Sequence, residues 1–543
     1  MIIAGRSRPG RGGWWLALLL GVETACGAAV VAAAGHAQDG SFSGERARNP
    51  ILWMDVPDVA VIRVGDTYYM SSTTMHLSPG LPLMRSKDLV QWELINYAYD
   101  ILEDNDALSL RGGRNAYGGG SWASSLRYHE GVFYVTTFSH TTGRTYVFHT
   151  RDIEKGPWQV RSFRPALHDH SLHFEEDGRV FMVHGGGDIW LTELEPDLSG
   201  IKPGGIHQVI ISNASRVAGP NIGLPAEGSQ LRKIRGKYYL NLITWPRGGM
   251  RTQLIYRAGR LTGPYEGRVA LQDQGVAQGG LIDTPDGRWY AMLFQDHGAV
   301  GRTPFLVPVH WEDDWPVYGV DGKVPDTLDL PAPKDPLSNL VISDEFERRP
   351  GERPLPLAWQ WNHNPDPRYW SLEERPGWLR LRTGRVDAGF LEARNTLTQR
   401  TFGPECAGWV RLDPSGLKEG DHAGLGLLQR RFGLVAVTRE NGRLMLTMAH
   451  AERDTPVTAE RLPWERDTVW IGVECDFRDR ADVARFFYSE DGREWKPIGP
   501  RIRLTYTLPH FMGYRFALFS YATREAGGHA DFDFFRVGVR LPR

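Results

Sequence analysis

The chain has 543 residues, with 63 Lys and Arg against 65 Asp and Glu, for a formal charge of −2. That length exceeds one ordinary core and favours two or three domains, and the balanced charge offers no footing for nucleic acid or an anionic membrane as partner. Aromatics reach 11%, with 19 Trp and 19 Tyr beside 62 Gly, a mixture that suits all-β folds rich in turns and equally suits clefts where rings stack on sugars.

Residues 1–37 read as a signal peptide. Arg6, Arg8 and Arg11 precede an apolar run from Trp14 to Val22, and Gly35-His36-Ala37 puts small side chains where a signal peptidase cuts. The run is short for a membrane anchor and Glu23 interrupts it. A secreted or periplasmic mature chain, with no membrane contact, is the expectation. Cys406 and Cys475 then remain in the second half. They form one disulfide or stand as buried thiols, and neither has metal-site spacing.

From residue 45 to 323 the chain is organised by a repeat. Glycine, one variable residue and an aromatic or apolar pair recur at Gly131-Val132-Phe133-Tyr134, Gly178-Arg179-Val180-Phe181, Gly236-Lys237-Tyr238-Tyr239 and Gly287-Arg288-Trp289-Tyr290. Gly65-Asp66-Thr67-Tyr68-Tyr69 opens the series with one extra residue. Spacings of 47 to 66 residues match blades of four-stranded sheet, so five units predict a five-bladed β-propeller. Nine residues before the last four glycines stand Trp122, Asp169, Glu227 and Gln278, and Asp58 lies seven before the first. Equivalent positions in successive blades face one axis. Three of the five are acidic, and solvated surface carboxylates would not keep to one register.

Glycosidic cleavage needs a proton for the departing oxygen and a carboxylate working from the other side of the ring. A third carboxylate can orient the acid and raise its pKa. Asp58, Asp169 and Glu227 supply that set from three blades.

Several segments resemble glycoside hydrolase family 43, the five-bladed propeller enzymes that act on xylan and arabinan side chains. They are Asn49-Pro50-Ile51-Leu52, Val56-Pro57-Asp58, Ser86-Lys87-Asp88-Leu89-Val90-Gln91-Trp92, Ser121-Trp122-Ala123, Asp169-His170-Ser171-Leu172, Glu227-Gly228-Ser229, Gly301-Arg302 and Trp311-Glu312-Asp313-Asp314-Trp315-Pro316. The resemblance implies that Asp58 is the general base, Glu227 the general acid and Asp169 the residue that tunes and orients the acid. It also implies that Arg302 binds substrate hydroxyls, with Trp122 and Gln278 lining the cavity and no cofactor needed for the chemistry. The chain departs from the family pattern in Pro57-Asp58-Val59-Ala60, in Trp122-Ala123-Ser124, and in Gln278, where many members carry a histidine.

Other side chains compete less well. Asp55 is a second acid near Asp58 and an alternative base. His168, His170 and His297 line the cavity or serve as hydrogen-bonded structural histidines. Gly185-Gly186-Gly187 lacks the Lys and helix of a phosphate loop and reads as a turn or bulge.

Pro325, Pro331, Pro333 and Pro336 mark residues 324–341 as a linker. From 342 to 543, alternating runs such as Trp378-Leu379-Arg380-Leu381-Arg382 predict a β-sandwich. The region resembles the concanavalin-A-like jelly roll that follows the propeller in xylosidase-type members. That likeness implies a structural Ca²⁺ at Asp344 with Asp531 or Asp533, unless these are solvated strand-end acids. It also implies a sandwich loop near Phe511 that closes part of the pocket.

The resulting expectation is an inverting exo-glycosidase releasing β-xylose or α-L-arabinofuranose from xylo- or arabino-oligosaccharides. A non-catalytic glycan-binding propeller and an endo-acting arabinanase-like hydrolase are the alternatives. A retaining hydrolase of the sucrose and fructan type would need a Trp-Met-Asn-Asp-Pro-Asn-like segment, which the chain lacks.

Overall fold

The computed structural model describes residues 46–349, 351–451 and 455–542, so the expected signal peptide lies outside the described residues. Five four-stranded antiparallel sheets follow one another along the first half. Their innermost strands are Ala60–Val64, Ser125–His129, Ser171–Phe174, Ile222–Ile234 and Ala277–Asp283. Each pairs with the next strand through the turn that carries the repeat glycine. All five of these glycines have positive φ, between 62° and 85°, a conformation open to glycine at little cost. The rings that follow, Tyr68, Phe133, Phe181, Tyr239 and Tyr290, are buried.

Polar contacts between innermost strands bind the blades to one another. Arg127 of the second blade donates to Leu172 O (2.7 Å), Ser171 Oγ (2.6 Å) and Leu231 O (2.9 Å), which tie it to blades three and four. Asp283 in the fifth blade pairs with both Arg63 and Arg232.

Residues 324–341 are not a free linker. Thr327–Pro331 is a strand that pairs with Arg46–Arg48, and Asn339 exchanges hydrogen bonds with the backbone of Leu94 at 2.7 and 2.8 Å. The segment turns back along the propeller because it has a partner strand and apolar side chains to bury, Leu328 and Leu340 among them.

The second half is a β-sandwich. One seven-stranded sheet runs, in spatial order, Gln360–Trp361, Leu397–Arg400, Arg515–Ala522, Asp421–Leu428, Gly433–Glu440, Arg443–His450 and Val457–Trp464. The facing sheet is built around Leu379–Arg382, His529–Gly538, Glu405–Asp413, Val469–Asp476 and Val483–Ser489. Leu425, Val435, Phe516 and Leu518 meet Val410, Ile471, Phe532 and Phe535 between them. Among the described residues the only helical pieces are short 3₁₀ turns. Cys406 and Cys475 face each other on adjacent strands as buried free thiols.

The same apolar cluster runs on into the propeller through Ile51, Met54, Val56, Met70 and Trp92. Polar contacts reinforce the joint. Trp361 and Ser78 exchange backbone hydrogen bonds at 2.6 and 3.0 Å, Arg400 Nε donates to Asp55 O at 2.9 Å, and Tyr514 N donates to Ala299 O at 3.0 Å.

The calcium expectation fails on the donor set. Asp344 is buried and accepts from Arg348 (2.9 and 2.6 Å), Trp359 Nε1 (2.8 Å) and the Phe346 N–H (2.8 Å). Asp531, also buried, is held by Arg375 (2.9 Å) and Arg380 (2.7 and 2.8 Å), and Asp533 meets Arg411 at 3.1 Å. Guanidinium groups take up the lone pairs and charge that a hard dication would need. The three aspartates are neither a calcium cradle nor solvated strand ends. They are arginine pairs.

Candidate active site

Asp58, Asp169 and Gln278 head the innermost strands of blades one, three and five with φ of 51°, 45° and 63°. Left-handed backbone at a non-glycine residue costs roughly 1–3 kcal/mol and persists where surrounding structure enforces it. In blade four the matching left-handed backbone falls on Gly228 (φ 73°), immediately after Glu227, where glycine adopts it at little cost. The repeat register is therefore a backbone conformation as well as a spacing, and it turns these side chains toward the axis.

Asp58 is buried against Arg302, whose Nη1 lies 3.0 Å from both carboxylate oxygens. Burial raises the Asp58 pKa, while the charges of Arg302 and Arg251 oppose the rise. Arg251 is itself ion-paired to Asp296 at 2.6 Å. Across the axis, Asp169 and Glu227 approach each other with His168 between them. His168 Nε2 lies 2.9 Å from Glu227 Oε2 and 4.0 Å from Asp169 Oδ1. Burial, opposed by the His168 charge and supported by Glu227 and Asp58, lifts Asp169 to about 7. Asp169 thus lies within electrostatic reach of both Glu227 and Asp58.

Two aromatic side chains close the mouth. The Phe511 ring sits 4.4 Å from the Arg302 guanidinium and 5.7 Å from the Trp122 ring, so a sandwich loop reaches the propeller axis. Trp122 is fixed by its Nε1 bond to Gly118 O at 3.0 Å. Gln278 packs over Gly228, where an added Cβ would meet its side chain at 3.0 Å, and its backbone N–H donates to Gln253 Oε1 at 2.7 Å.

Asp55 has a different task. Its Oδ1 accepts from the Arg302 N–H (2.8 Å) and its Oδ2 from the Gly513 N–H (3.0 Å). Both oxygens are occupied by backbone, one in each domain, so Asp55 anchors the Phe511 loop to the fifth blade. His170 is a structural histidine, with ring nitrogens on Leu167 O (2.8 Å) and Thr136 Oγ1 (2.7 Å). His297 bonds Gln295 at 2.7 Å and packs on Trp53, away from the carboxylates. His168 is the residue that sequence reasoning undervalued; its one signal was its place next to Asp169 in the turn that leads into an innermost strand.

A propeller axis carrying clustered carboxyls beneath an aromatic mouth is the architecture of a glycoside hydrolase. Residues 47–316 match the model of glycosyl hydrolases family 43, and residues 343–538 match the beta xylosidase C-terminal concanavalin A-like domain. The chain belongs to glycoside hydrolase family 43. It is 30% identical to a beta-xylosidase of Formosa agariphila over 91% of this chain and 90% of that protein. A non-reducing end alpha-L-arabinofuranosidase of Bacteroides ovatus is 28% identical over 78% of this chain and 82% of its own length. Among solved structures, a bifunctional GH43-CE protein of Bacteroides eggerthii superposes with a TM-score of 0.91 at 56% identity, covering 92% of this chain. The match spans 64% of that protein's length. Glycosidases of this family act without cofactors.

Proposed function

We propose that the enzyme releases single pentose units, β-xylose or α-L-arabinofuranose, from the non-reducing ends of xylo- and arabino-oligosaccharides, with inversion. The observation that carries this reading is the Phe511 loop. A sandwich segment lying over Arg302 and Trp122 covers part of the axis, which suits a chain end better than an internal linkage. The relatives' descriptions as beta-xylosidase and as non-reducing end alpha-L-arabinofuranosidase support the same substrate class.

In this scheme Asp58, whose charged form Arg302 favours against the pull of burial, takes a proton from the attacking water. Glu227 gives its proton to the departing oxygen, and Asp169 holds the acid and the local charge. Asp58 and Glu227 come from blades one and four, which are not neighbours in the ring. That placement supports a water standing between base and sugar, as inversion requires.

The test is hydrolysis of xylobiose, arabino-oligosaccharides and both nitrophenyl pentosides, with the first-formed anomer followed by proton NMR. Single pentoses of inverted configuration are expected. Retained configuration would overturn the mechanism, and release of mid-chain fragments would favour an endo-acting hydrolase.

A further inference from the structure

The hydrolysis scheme leaves a titratable side chain of the cleft, His168, unused. His168 donates or shares a proton with Glu227 Oε2 at 2.9 Å and stands 4.0 Å from Asp169 Oδ1. Its position is built. The Gly185 N–H donates to its carbonyl at 2.9 Å, and the rings of Phe138, His140 and Trp122 surround the imidazole at centroid distances of 5.1, 5.9 and 6.2 Å. Side-chain exposure is 28% for His168 and 18% for Glu227. The imidazole is therefore the more solvent-accessible partner of a shielded carboxyl.

We propose that His168 positions Glu227 and is the group through which Glu227 regains its proton after each turnover. The inference rests on Glu227 being the general acid. When the glycosidic C–O bond breaks, Glu227 gives up its proton and is left as a carboxylate. The His168 Nε2–H bond then breaks as an O–H bond forms on Oε2, and the neutral imidazole takes a proton from solvent. The proton that Asp58 removes from the attacking water returns to solvent, so the cycle balances.

The charges around His168 keep a proton on the imidazole while Glu227 is ionised. Burial pulls the imidazole down, but the charge of Asp169 and the hydrogen bond and charge of Glu227 outweigh it and hold the group up at about 9. Facing it are Asp169 in its own turn, Glu227 from blade four, His140 from blade two, and His170 and His184 within blade three; Asp58 acts on Asp169. Burial, with the His168 charge among the further causes, pushes His140 down, His170 to about 4 and His184 to about 3. All three histidines are pushed toward the neutral form, so none of them competes with His168 for the proton.

The experiment is the pH dependence of kcat for xylobiose and for dinitrophenyl β-xyloside, in the wild type, His168→Gln and Glu227→Gln. Glutamine keeps a hydrogen-bond donor but cannot titrate. For His168→Gln the alkaline limb with xylobiose should fall by about one to two pH units, because the acid can no longer draw on the proton held by the imidazole. The dinitrophenyl substrate needs no proton, so its limb should stay in place. A purely structural histidine would depress both substrates at every pH without moving either limb, and that result overturns the proposal. Glu227→Gln separates the two readings. Loss on xylobiose with little loss on the dinitrophenyl substrate keeps Glu227 as the acid, whatever His168 does. Equal loss on both substrates removes the acid assignment, and the His168 proposal with it.

Discussion

Histidines at two places in this molecule, one at the propeller axis and three at the joint between domains, titrate in opposite directions. At the propeller axis His168 lies between Asp169 and Glu227 and is held up at about 9. At the joint between propeller and sandwich, His76, His363 and His510 gather around Tyr117. His76 lies 4.6 Å from His363 and 6.4 Å from His510 by ring centroids, and the His510 ring stacks on Tyr117 at 4.0 Å. Here burial has no opposing carboxylate. The electrostatic neighbours are Arg515 for His76 and Arg430 for His510, and His76 falls to about 3 while the other two drop well below their ordinary range. Burial alone makes an imidazole neutral, and two adjacent carboxyls reverse the result. The axis stores protons; the joint excludes them.

The largest effect should come from removing charge at the axis. Asp58→Asn deletes the base while leaving an acceptor for Arg302, so kcat should fall by about 10³–10⁴-fold, toward the upper end of what one acid–base group contributes. The loss should be the same for nitrophenyl and dinitrophenyl pentosides, because water activation does not depend on the leaving group. Steady-state kinetics on both substrates checks this. A loss confined to the poorer leaving group would transfer the acid role to Asp58 and undo the assignment.

The second effect belongs to the joint and reads on stability instead of rate. The three interface histidines have folded pKa values below the unfolded value of about 6.5. Their neutral burial therefore contributes stability that is fully present above pH 6.5 and is lost as pH falls below it. Each should cost about 1.4 kcal/mol per pH unit once the unfolded chain takes up the proton. His168 acts with the opposite sign, since its raised pKa contributes stability below pH 6.5 that is lost as pH rises through about 9. Thermal melts from pH 4 to pH 10 should show an acid slope that weakens in His76→Asn and an alkaline slope that weakens in His168→Gln. Identical slopes in both variants would erase the contrast between the two regions.

How much of this could be read in the sequence follows from the range of the interactions. The blade turns were legible because each is local, a glycine at positive φ followed by rings that bury. The carboxylate register was legible because the repeat carries it. His168 was not, because its partner lies 59 residues away in another blade and meets it only when Asp169 adopts a left-handed backbone. The aspartates offered to calcium failed for the same reason, since Arg375 and Arg380 lie 156 and 151 residues from Asp531. Likewise, residues 324–341 read as a linker because their partner strand, Arg46–Arg48, lies at the other end of the propeller.

A smaller effect should follow at the latch between the two regions. Asp55→Ala leaves the Gly513 and Arg302 backbone N–H groups without their acceptor, and an unsatisfied buried donor costs about 1–3 kcal/mol. Loosening the loop that carries Phe511 should raise KM more than it lowers kcat, whereas a base would lose kcat. Equal kinetic constants in the variant would mean that Phe511 holds its place without Asp55.

The smallest effect sharpens the comparison by asking what can serve as the partner of a buried charge. Asp344, Asp531 and Asp533 are satisfied by Arg348, Arg375, Arg380 and Arg411, so the sandwich should need no cation. Thermal melts with EDTA and with millimolar Ca²⁺ should then agree within about 1 °C, since a ligand stabilises only if it binds the folded state in preference to the unfolded one. Arg348→Ala makes the test sharper. It strips Asp344 of its guanidinium, and breaking a buried pair costs about 3–5 kcal/mol. If the arginine alone neutralises Asp344, Ca²⁺ will not restore the lost Tm. Rescue of the variant by Ca²⁺ would mean that the carboxylates can be gathered around a dication after all, and that the arginines stand where an ion could.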